Sequence, residues 1–415
     1  MKILLLGAGS SQLNAVNCLK MQGHTVIVSD YYDNPPGKLI ADVHEKVSTF
    51  DIEGNIAIAK KHQVDGIMTL GTDQPVYTVA RVAEALNLPF LLETATAKAV
   101  TNKKIMKETF IKYGIPTLAY SLIKKDFHPS ELKQLQFPVV VKPVDSQGQR
   151  GVYKLDTINE IQTVIPEVLG YSREDHILVE EYYPNDEITV SGWVINGQPY
   201  IISIVDRISF KNFPHIGICV RHGFPSKHLQ AYFKEISEIT ARIVQGFQIQ
   251  NGPIYFQMLI GAEGVKVNEI ACRLGGAYED EYLLEATGID LLGMLIAATL
   301  GQSLNTYQQE LQQFDLLKTA TFVSVELFFA GPCVIHSLND MEKLKNLPGV
   351  IQARHNFKPG DRIGEMVNAT QRAGFVIIKG DSTESLAVNM ERVYRNLAVI
   401  DETGCNKIIQ RNGLQ

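Results

Sequence analysis

The chain has 415 residues, of which 45% are hydrophobic and 20% charged, an ordinary balance for a globular protein with ample core. Lys and Arg number 39 against 45 Asp and Glu, a formal net charge of −6, and no basic block is present, so nucleic acid is not an expected partner. The five cysteines (Cys18, Cys219, Cys272, Cys333, Cys405) form no C-x-x-C pair and read as reduced thiols in a cytoplasmic setting; no apolar run reaches the roughly 18 residues of a membrane helix, and MKILLLGAGS is too short for a signal peptide, so no membrane is expected either.

The first hundred residues alternate strand and helix. KILLL (2–6) is a buried run ended by a glycine turn, and residues 11–22 have helical spacing. HTVIVSD is a second strand ending at Asp30. DIEGNIAIAKKHQ and VDGIMTL give a further helix and strand, and GTDQPVYTVARVAEALNLP a turn, a helix and the entry to PFLL. Buried strands joined by helical crossovers predict a parallel sheet. Residues 102–113 then form a helix closed by Gly114. FPVVVKP and GVYKL are strands, followed by HILVEEYY, EITVSGWVI and QPYIISIVD with only turn signals between them, which predicts an antiparallel sheet. A long helix (226–248) precedes PIYFQMLI and GVKVNEIA, a hairpin turning at Gly261-Ala262-Glu263-Gly264. GIDLLGMLIAATLG reads as a buried helix. Residues 332–415 read as a further α/β segment, with strand FVIIKG and helix TESLAVNMERVYRNL. The expected class is a multidomain α/β and α+β chain divided at 1–100, 101–190, 191–330 and 331–415.

Several stretches carry chemistry. Gly7-Ala8-Gly9 precedes Asp30 at a spacing suited to a dinucleotide, but Gln12 stands where the third glycine belongs, so a turn lining a crevice is the better reading. Lys142 ends a buried strand beside the loop Asp145 to Gly151, whose amides could wrap an anion. The alternative is a surface hairpin with an outward lysine, and the two weigh evenly. The strand Leu178 to Tyr183 breaks at Pro184 and reads either as a solvated edge strand with acids or as one whose free backbone groups read an adenine edge, with Glu187 placed for a ribose. In the hairpin, Gln257 and Glu269 offer oxygens on adjacent strands, a pattern suited to magnesium, the alternative being a Glu269–Arg273 salt bridge on a half-exposed strand. Alternation puts Val265, Val267, Glu269 and Ala271 on one face and Lys266, Asn268 and Ile270 on the other. Arg273 follows, a planar cation suited to phosphate or carboxylate, then Gly275-Gly276, which admit a ligand close to the backbone. The segment 207–225 carries Arg207, Lys211, His215, Arg221 and His222. It reads either as a substrate-facing loop or, for any single residue, as a solvated connection.

Taken in order, these stretches resemble the ATP-grasp superfamily over essentially the whole chain. TNKKIMKETFIKYGIPT is similar to its lysine-led helix, FPVVVKPVDSQGQRGV to its second lysine and glycine loop, LVEEYYPNDEITV to its adenine hinge, and FQMLIGAEGVKVNEIACRLGG to its metal hairpin. The first third resembles the pre-ATP-grasp domain. The tail, KPGDRIGEM to RAGFVIIKGDSTESL, is similar to carbamoyl-phosphate-synthase-like, biotin-carboxylase-like and L-amino-acid-ligase members. The resemblance implies ATP and Mg2+ as cofactors, with Lys103, Lys142, Ser146, Gly148, Gly151, Glu180, Tyr182, Tyr183 and Glu187 binding ATP. It implies Gln257 and Glu269 on magnesium, and Arg207, Arg221, Arg273, Gly275 and Gly276 toward the substrate, with Lys142 and Arg273 catalytic. The implied reaction is carboxylate–amine ligation: an acylphosphate forms, an amine attacks it, and ADP and phosphate leave. Small carboxylic acids and amines are the implied partners, and many relatives are homodimers. Bicarbonate-using enzymes and a nucleotide-binding protein with little turnover are the alternatives.

The pattern departs from the family at one position. Glu-x-Asn is usual on the second metal strand, and Ala271 stands in place of the asparagine. Alternation bars Asn268 from replacing it, so either water completes one magnesium's shell, one metal is bound weakly, or Asp280 or Glu281 reaches back.

Overall fold

The computed structural model describes residues 1–146, 148–210 and 216–410. Four strands near the start, β1 (Lys2–Leu6), β2 (Thr25–Ser29), β3 (Val43–Glu45) and β4 (Gly66–Met68), form a parallel sheet in the order β3-β2-β1-β4. Leu4, Leu6, Ile27 and Ile67 pack with Ile58, Ala59, Val82 and Ala83 of helices Ile52–His62 and Pro75–Leu86; Ile3, Leu5, Val26 and Val28 belong to the main core. A strand covered on both faces has no polar side to show, hence the unbroken KILLL. PFLL forms no strand.

The glycine turn after β1 is filled from within. Ala8 N donates to Asp30 Oδ2 at 2.9 Å, Gly37 N to Ala8 O at 2.8 Å, and Gln12 Nε2 to Leu70 O at 2.6 Å. Gly7 has φ +96°, and a Cβ there would stand 3.2 Å from the Gln12 side chain. Gln12 therefore closes the turn that a third glycine would leave open to a ligand.

The middle strands divide between two sheets. β5 (Tyr120–Ile123), β6 (Val139–Pro143), β7 (Tyr153–Leu155) and β8 (Ile177–Glu181) form an antiparallel sheet in the order β5-β8-β6-β7, with its own core shared by helix Ile158–Gly170. Next come β9 (Asp186–Ile195), β10 (Gln198–Ser209), β11 (Cys219–Phe224), β12 (Gly252–Gly261) and β13 (Gly264–Ala271). The run expected to be a single sheet changes sheets between β8 and β9, where Pro184 has no N–H to continue a ladder.

Helices Glu279–Thr287 and Leu291–Thr299 follow, the second buried as its composition predicts. The chain closes with β14 (Phe322–Phe328), β15 (Cys333–Leu338), β16 (Val350–His355), β17 (Arg362–Ile363), β18 (Gly374–Gly380) and β19 (Val399–Asp401). An eight-stranded sheet runs β13-β12-β9-β10-β11-β14-β18-β16, and a small one runs β17-β15-β19. Residues after 331 thus extend the preceding sheet through β16 and β18. No single helix among the described residues is long and apolar enough to cross a membrane.

Candidate active site

A cleft of about 570 Å³ lies between the β5-β8-β6-β7 sheet and the eight-stranded one. Register explains what reaches it from the first sheet. Val140 pairs with Glu180 and Lys142 with Leu178, so Val140, Lys142 and Glu180 share the cleft face. Val139, Val141 and Val179 take the opposite face into that sheet's core. Helix Lys103–Lys112 adds a second lysine. Its N-cap Asn102 accepts from the amides of Lys104 and Ile105, which fixes the helix start and holds Lys103 at the cleft.

The buried charges are paired. Lys103 Nζ lies 2.7 Å from Glu269 Oε1 and donates to Ser146 O at 3.0 Å. Glu180, 1% exposed, bridges Lys142 and Lys107. Burial alone would raise its carboxyl, but the two lysines outweigh that and hold it down at about 2. Burial likewise opposes charge on Lys103, yet Glu269 beside it carries its pKa above the ordinary value. Glu180 is therefore a counterion, and its carboxylate is not free to read an adenine. Lys107 was not singled out from the sequence, although its i+4 spacing from Lys103 puts both on one helix face.

Beyond Glu180 the ladder persists two residues further. Glu181 N donates to Ala119 O at 3.1 Å and Tyr182 N to Pro138 O at 2.9 Å. Tyr183 is buried, and its hydroxyl donates to Gly264 O at 2.9 Å and accepts from Glu263 N at 2.8 Å, tying it to the β12–β13 turn. On the second sheet, Glu187 pairs with Arg207 across β9 and β10. Arg207 donates to Glu187 Oε2 at 2.5 Å, to Ser209 Oγ at 3.1 Å and to Gly217 O at 2.7 Å, so the guanidinium assigned to substrate is committed to its own neighbours.

The glycine loop leans over the opening. Ser146, Gly148, Gln149 and Arg150 line the cleft, and a Cβ on Gly217 would stand 2.7 Å from Gln149 Oε1. Gly148 and Gly151 have φ of +72° and +68°, and a Cβ on Gly151 would press on the Tyr171 ring at 2.8 Å. Gly151 shapes the loop without lining the cleft. Gln147, Lys211 and His215 lie outside the described residues.

Strand β13 overturns the alternation read from the sequence. Gln257 pairs with Glu269 but Met258 pairs with Val267, so Asn268 is an extra residue, a β-bulge. The bulge switches faces. Val265 and Val267 before it, and Ile270 and Cys272 after it, point into the core. Asn268 and Glu269 both line the cleft with Gln257, and Lys142 Nζ donates to Asn268 Oδ1 at 2.9 Å. Gln257 Oε1 is buried with no hydrogen-bond partner. Ala271, 3% exposed, pairs with Tyr255. Neither Asp280 nor Glu281 reaches back. Asn14 Nδ2 donates to Asp280 Oδ2 at 3.0 Å, and Glu281 pairs with Arg354 at 3.2 Å.

Arg273 lies just off the cleft, 5% exposed. Its Nε donates to Asp73 Oδ1 at 2.8 Å, it stands 4.4 Å above the Tyr255 ring, and Asp73 lines the cleft. Gly275 and Gly276 are small for a different reason from the one expected. A Cβ on Gly276 would sit 2.6 Å from Gly71 O, and one on Gly275 would meet the Glu279 carboxylate, so they accommodate the protein's own groups. Arg221 is directed away from the cleft. Its Nε donates to Glu326 Oε1 at 2.6 Å, whose other oxygen accepts from Tyr394 OH at 2.8 Å. His222 is 2% exposed, with Nδ1 3.9 Å from Glu279 Oε1, not on a solvated connection; burial, then Arg207 and Arg372, push its pKa well below the ordinary value. No spacing signal in the sequence joins His222 to Glu279, because β11 and the helix meet only in three dimensions.

Residues 135–280 match the ATP-grasp domain, and residues 326–402 match the L-amino acid ligase C-terminal domain 2. The chain contains an ATP-grasp domain. Dapdiamide A synthase from Enterobacter agglomerans is 22% identical over 375 residues, 85% of each chain. The ATP-grasp architecture extends over the whole length: L-amino acid ligase from Bacillus licheniformis superposes with a TM-score of 0.80 at 18% identity, covering 97% of this chain and 98% of that one. Phosphoribosylglycinamide synthetase from Anaerococcus prevotii does so at 0.76 and 18%, covering 97% and 99%.

Proposed function

We propose that this ATP-grasp chain is an ATP-dependent carboxylate–amine ligase, with an amino acid as the acid it activates. The observation that carries the reading is the convergence of Lys103 and Lys142 with Gln257 and Glu269 on one cleft. The matches to an L-amino acid ligase domain and to dapdiamide A synthase support the substrate class. The hairpin fits Mg2+, because Gln257 Oε1 is a buried acceptor lacking a donor and Glu269 stands directly across the strands from it. When bound, Mg2+ supplies charge neutralisation at the triphosphate.

The remaining roles fall to side chains. Val140, Val152, Leu118 and Leu259 offer apolar walls to the adenine. Tyr183 follows the last laddered residue, so its N–H is the first offered to the base edge, while its carbonyl also accepts from Asn185 Nδ2, and Glu187, held by Arg207, meets the ribose. Ser146, Gly148 and the rest of the glycine loop cover the phosphates and exclude water from the acylphosphate. Lys103 and Lys142 exchange their internal acceptors for phosphate oxygens, so no buried lysine is left unpaired at any stage.

The substrate carboxylate attacks the γ-phosphorus. A new O–P bond forms, and the β,γ-bridging bond breaks with its electron pair leaving on ADP. The amine nitrogen then attacks the acyl carbon, the C–O bond to phosphate breaks, and the amine loses its proton to the departing phosphate or solvent. Arg273 is assigned to the developing oxyanion. A cytoplasmic setting and a homodimer belong to the same reading.

Incubation with ATP, Mg2+, single amino acids and hydroxylamine tests it. ADP and a hydroxamate are expected together. AMP and pyrophosphate, or ADP release that needs bicarbonate and no organic acid, would overturn it.

A further inference from the structure

The family pattern usually places an oxygen two residues after Glu269, and this chain offers a methyl group there, on Ala271. The bulge in β13 supplies an oxygen from the other direction. Asn268 is the unpaired residue of the bulge, and its side chain lines the same cleft as Gln257 and Glu269. A bulge puts two successive residues on one face; alternation counted from Glu269 would instead send Asn268 to the side of Ile270, which is core. Gln257 Oε1 remains buried without a donor, an unmet desolvation that a cation would relieve. Two side chains with amide oxygens and one carboxylate therefore line one cleft at the point where residues 257 and 269 pair.

We propose that Asn268, aimed into the cleft by the bulge, gives the nucleotide-bound Mg2+ the protein oxygen that Ala271 lacks, completing a set with Gln257 and Glu269. The proposal rests on the ATP-grasp ligase reading above. It also gives the Lys142–Asn268 hydrogen bond of 2.9 Å a function. Lys142 holds Asn268 while no cation is bound, and capture of Asn268 by the cation releases Lys142 toward phosphate.

The test measures Mn2+ binding directly, by the electron paramagnetic resonance of the free ion, with a non-hydrolysable ATP analogue at saturation. Analogue binding in EDTA is measured by calorimetry, and folding is checked by metal-free thermal unfolding. Asn268→Ala is expected to weaken Mn2+ binding roughly 10-fold or more while changing analogue binding in EDTA less than about threefold. Asn268→Asp, nearly isosteric and anionic, is expected to tighten Mn2+ binding, and it carries the test should the alanine variant not fold. Ala271→Asn is expected to change it by less than about twofold, because the oxygen is already provided. Unchanged Mn2+ affinity in a folded Asn268→Ala overturns the proposal. So does an equal loss of analogue affinity with and without metal, which would make Asn268 only a support for Lys142. So does a tightening of about tenfold or more in Ala271→Asn, the sign of an incomplete shell. A wild-type chain that binds no analogue removes the ligase reading as well, whereas one that binds analogue and Mn2+ normally while Asn268→Ala is indifferent removes this inference alone.

Discussion

The cleft and the group of side chains around helix Glu279–Thr287 are both buried, yet they hold their protons in opposite ways. In the cleft, Lys103 faces Glu269, Lys107 and Lys142 share Glu180, and Arg207 faces Glu187. Near the helix, Glu279 Oε1, Asp280 Oδ1, Tyr282 OH and His222 Nδ1 are buried without hydrogen-bond partners. Burial drives Glu279 and Asp280 up and His222 down, all toward the neutral form, whereas Glu180 at comparable depth is driven down. Depth therefore does not set charge in this molecule; the neighbour does. A region of matched ions can trade partners with an anionic, cation-carrying ligand. A region of neutral groups can only donate and accept hydrogen bonds.

The sharpest way to break the paired region is to remove its shared anion. Glu180→Gln leaves Lys107 and Lys142 buried against a neutral amide and is expected to cost about 3–5 kcal/mol in urea unfolding at pH 7. The same carboxyl gives a pH signature. Its folded pKa, about 2, lies below the unfolded value, so its contribution is present above pH ~4.5 and is lost as pH falls toward 2. The acid limb of the wild-type stability curve should be shallower in the variant. A change below 1 kcal/mol at pH 7 would mean that the lysines find other acceptors.

Removing a cation instead should spare stability and hit chemistry. Lys142→Ala is expected to lower the rate of ADP formation roughly 100- to 1,000-fold, because a preorganised donor is lost where charge develops. Steady-state kinetics at saturating amino acid measure it, and a loss confined to KM for ATP would demote Lys142 to binding alone.

Between the regions lies the contact of Gly276 with the backbone of Gly71. A methyl group there would meet a carbonyl oxygen that cannot rotate away, so Gly276→Ala should cost about 1–3 kcal/mol in unfolding. An unaffected variant would return the glycine pair to the ligand-facing role first read from the sequence.

What the sequence disclosed divides along a physical line. Local signals served well: the apolar runs of the parallel sheet, the helix start at Asn102, the Gly261–Gly264 turn and the two lysines each depend on near neighbours. Features set by pairing across the chain did not show. The bulge at Asn268 is a relation between β12 and β13, invisible in β13 alone, and assuming unbroken alternation sent Asn268 to the wrong face. Arg221 looked like a free cation because its partner Glu326 lies 105 residues away. Gly276 looked ready for a ligand because nothing local reveals the Gly71 carbonyl behind it.

The unpaired region is probed most finely by Asp280, at the start of its helix. Burial is the main cause of its raised pKa, about 8, with the neighbouring Glu281 adding to it. Asn14 donates to its Oδ2, and Arg354 is engaged by Glu281 instead. A carboxyl whose folded pKa exceeds its unfolded one favours folding most at low pH. That advantage drains away as pH rises from the unfolded pKa through the folded one, because the unfolded chain releases a proton the native state retains. Between pH 5 and 7 the limit for one such group is about 2.7 kcal/mol, and about 1–2 kcal/mol is expected after water and relaxation share the load. Asp280→Asn keeps the shape and the acceptor for Asn14 and removes the proton. Its unfolding free energy should therefore fall less than the wild type's over that interval. If the two curves run parallel, Asp280 is ionised in the native state, and this end of the molecule is paired after all, through a donor that its own residues do not provide.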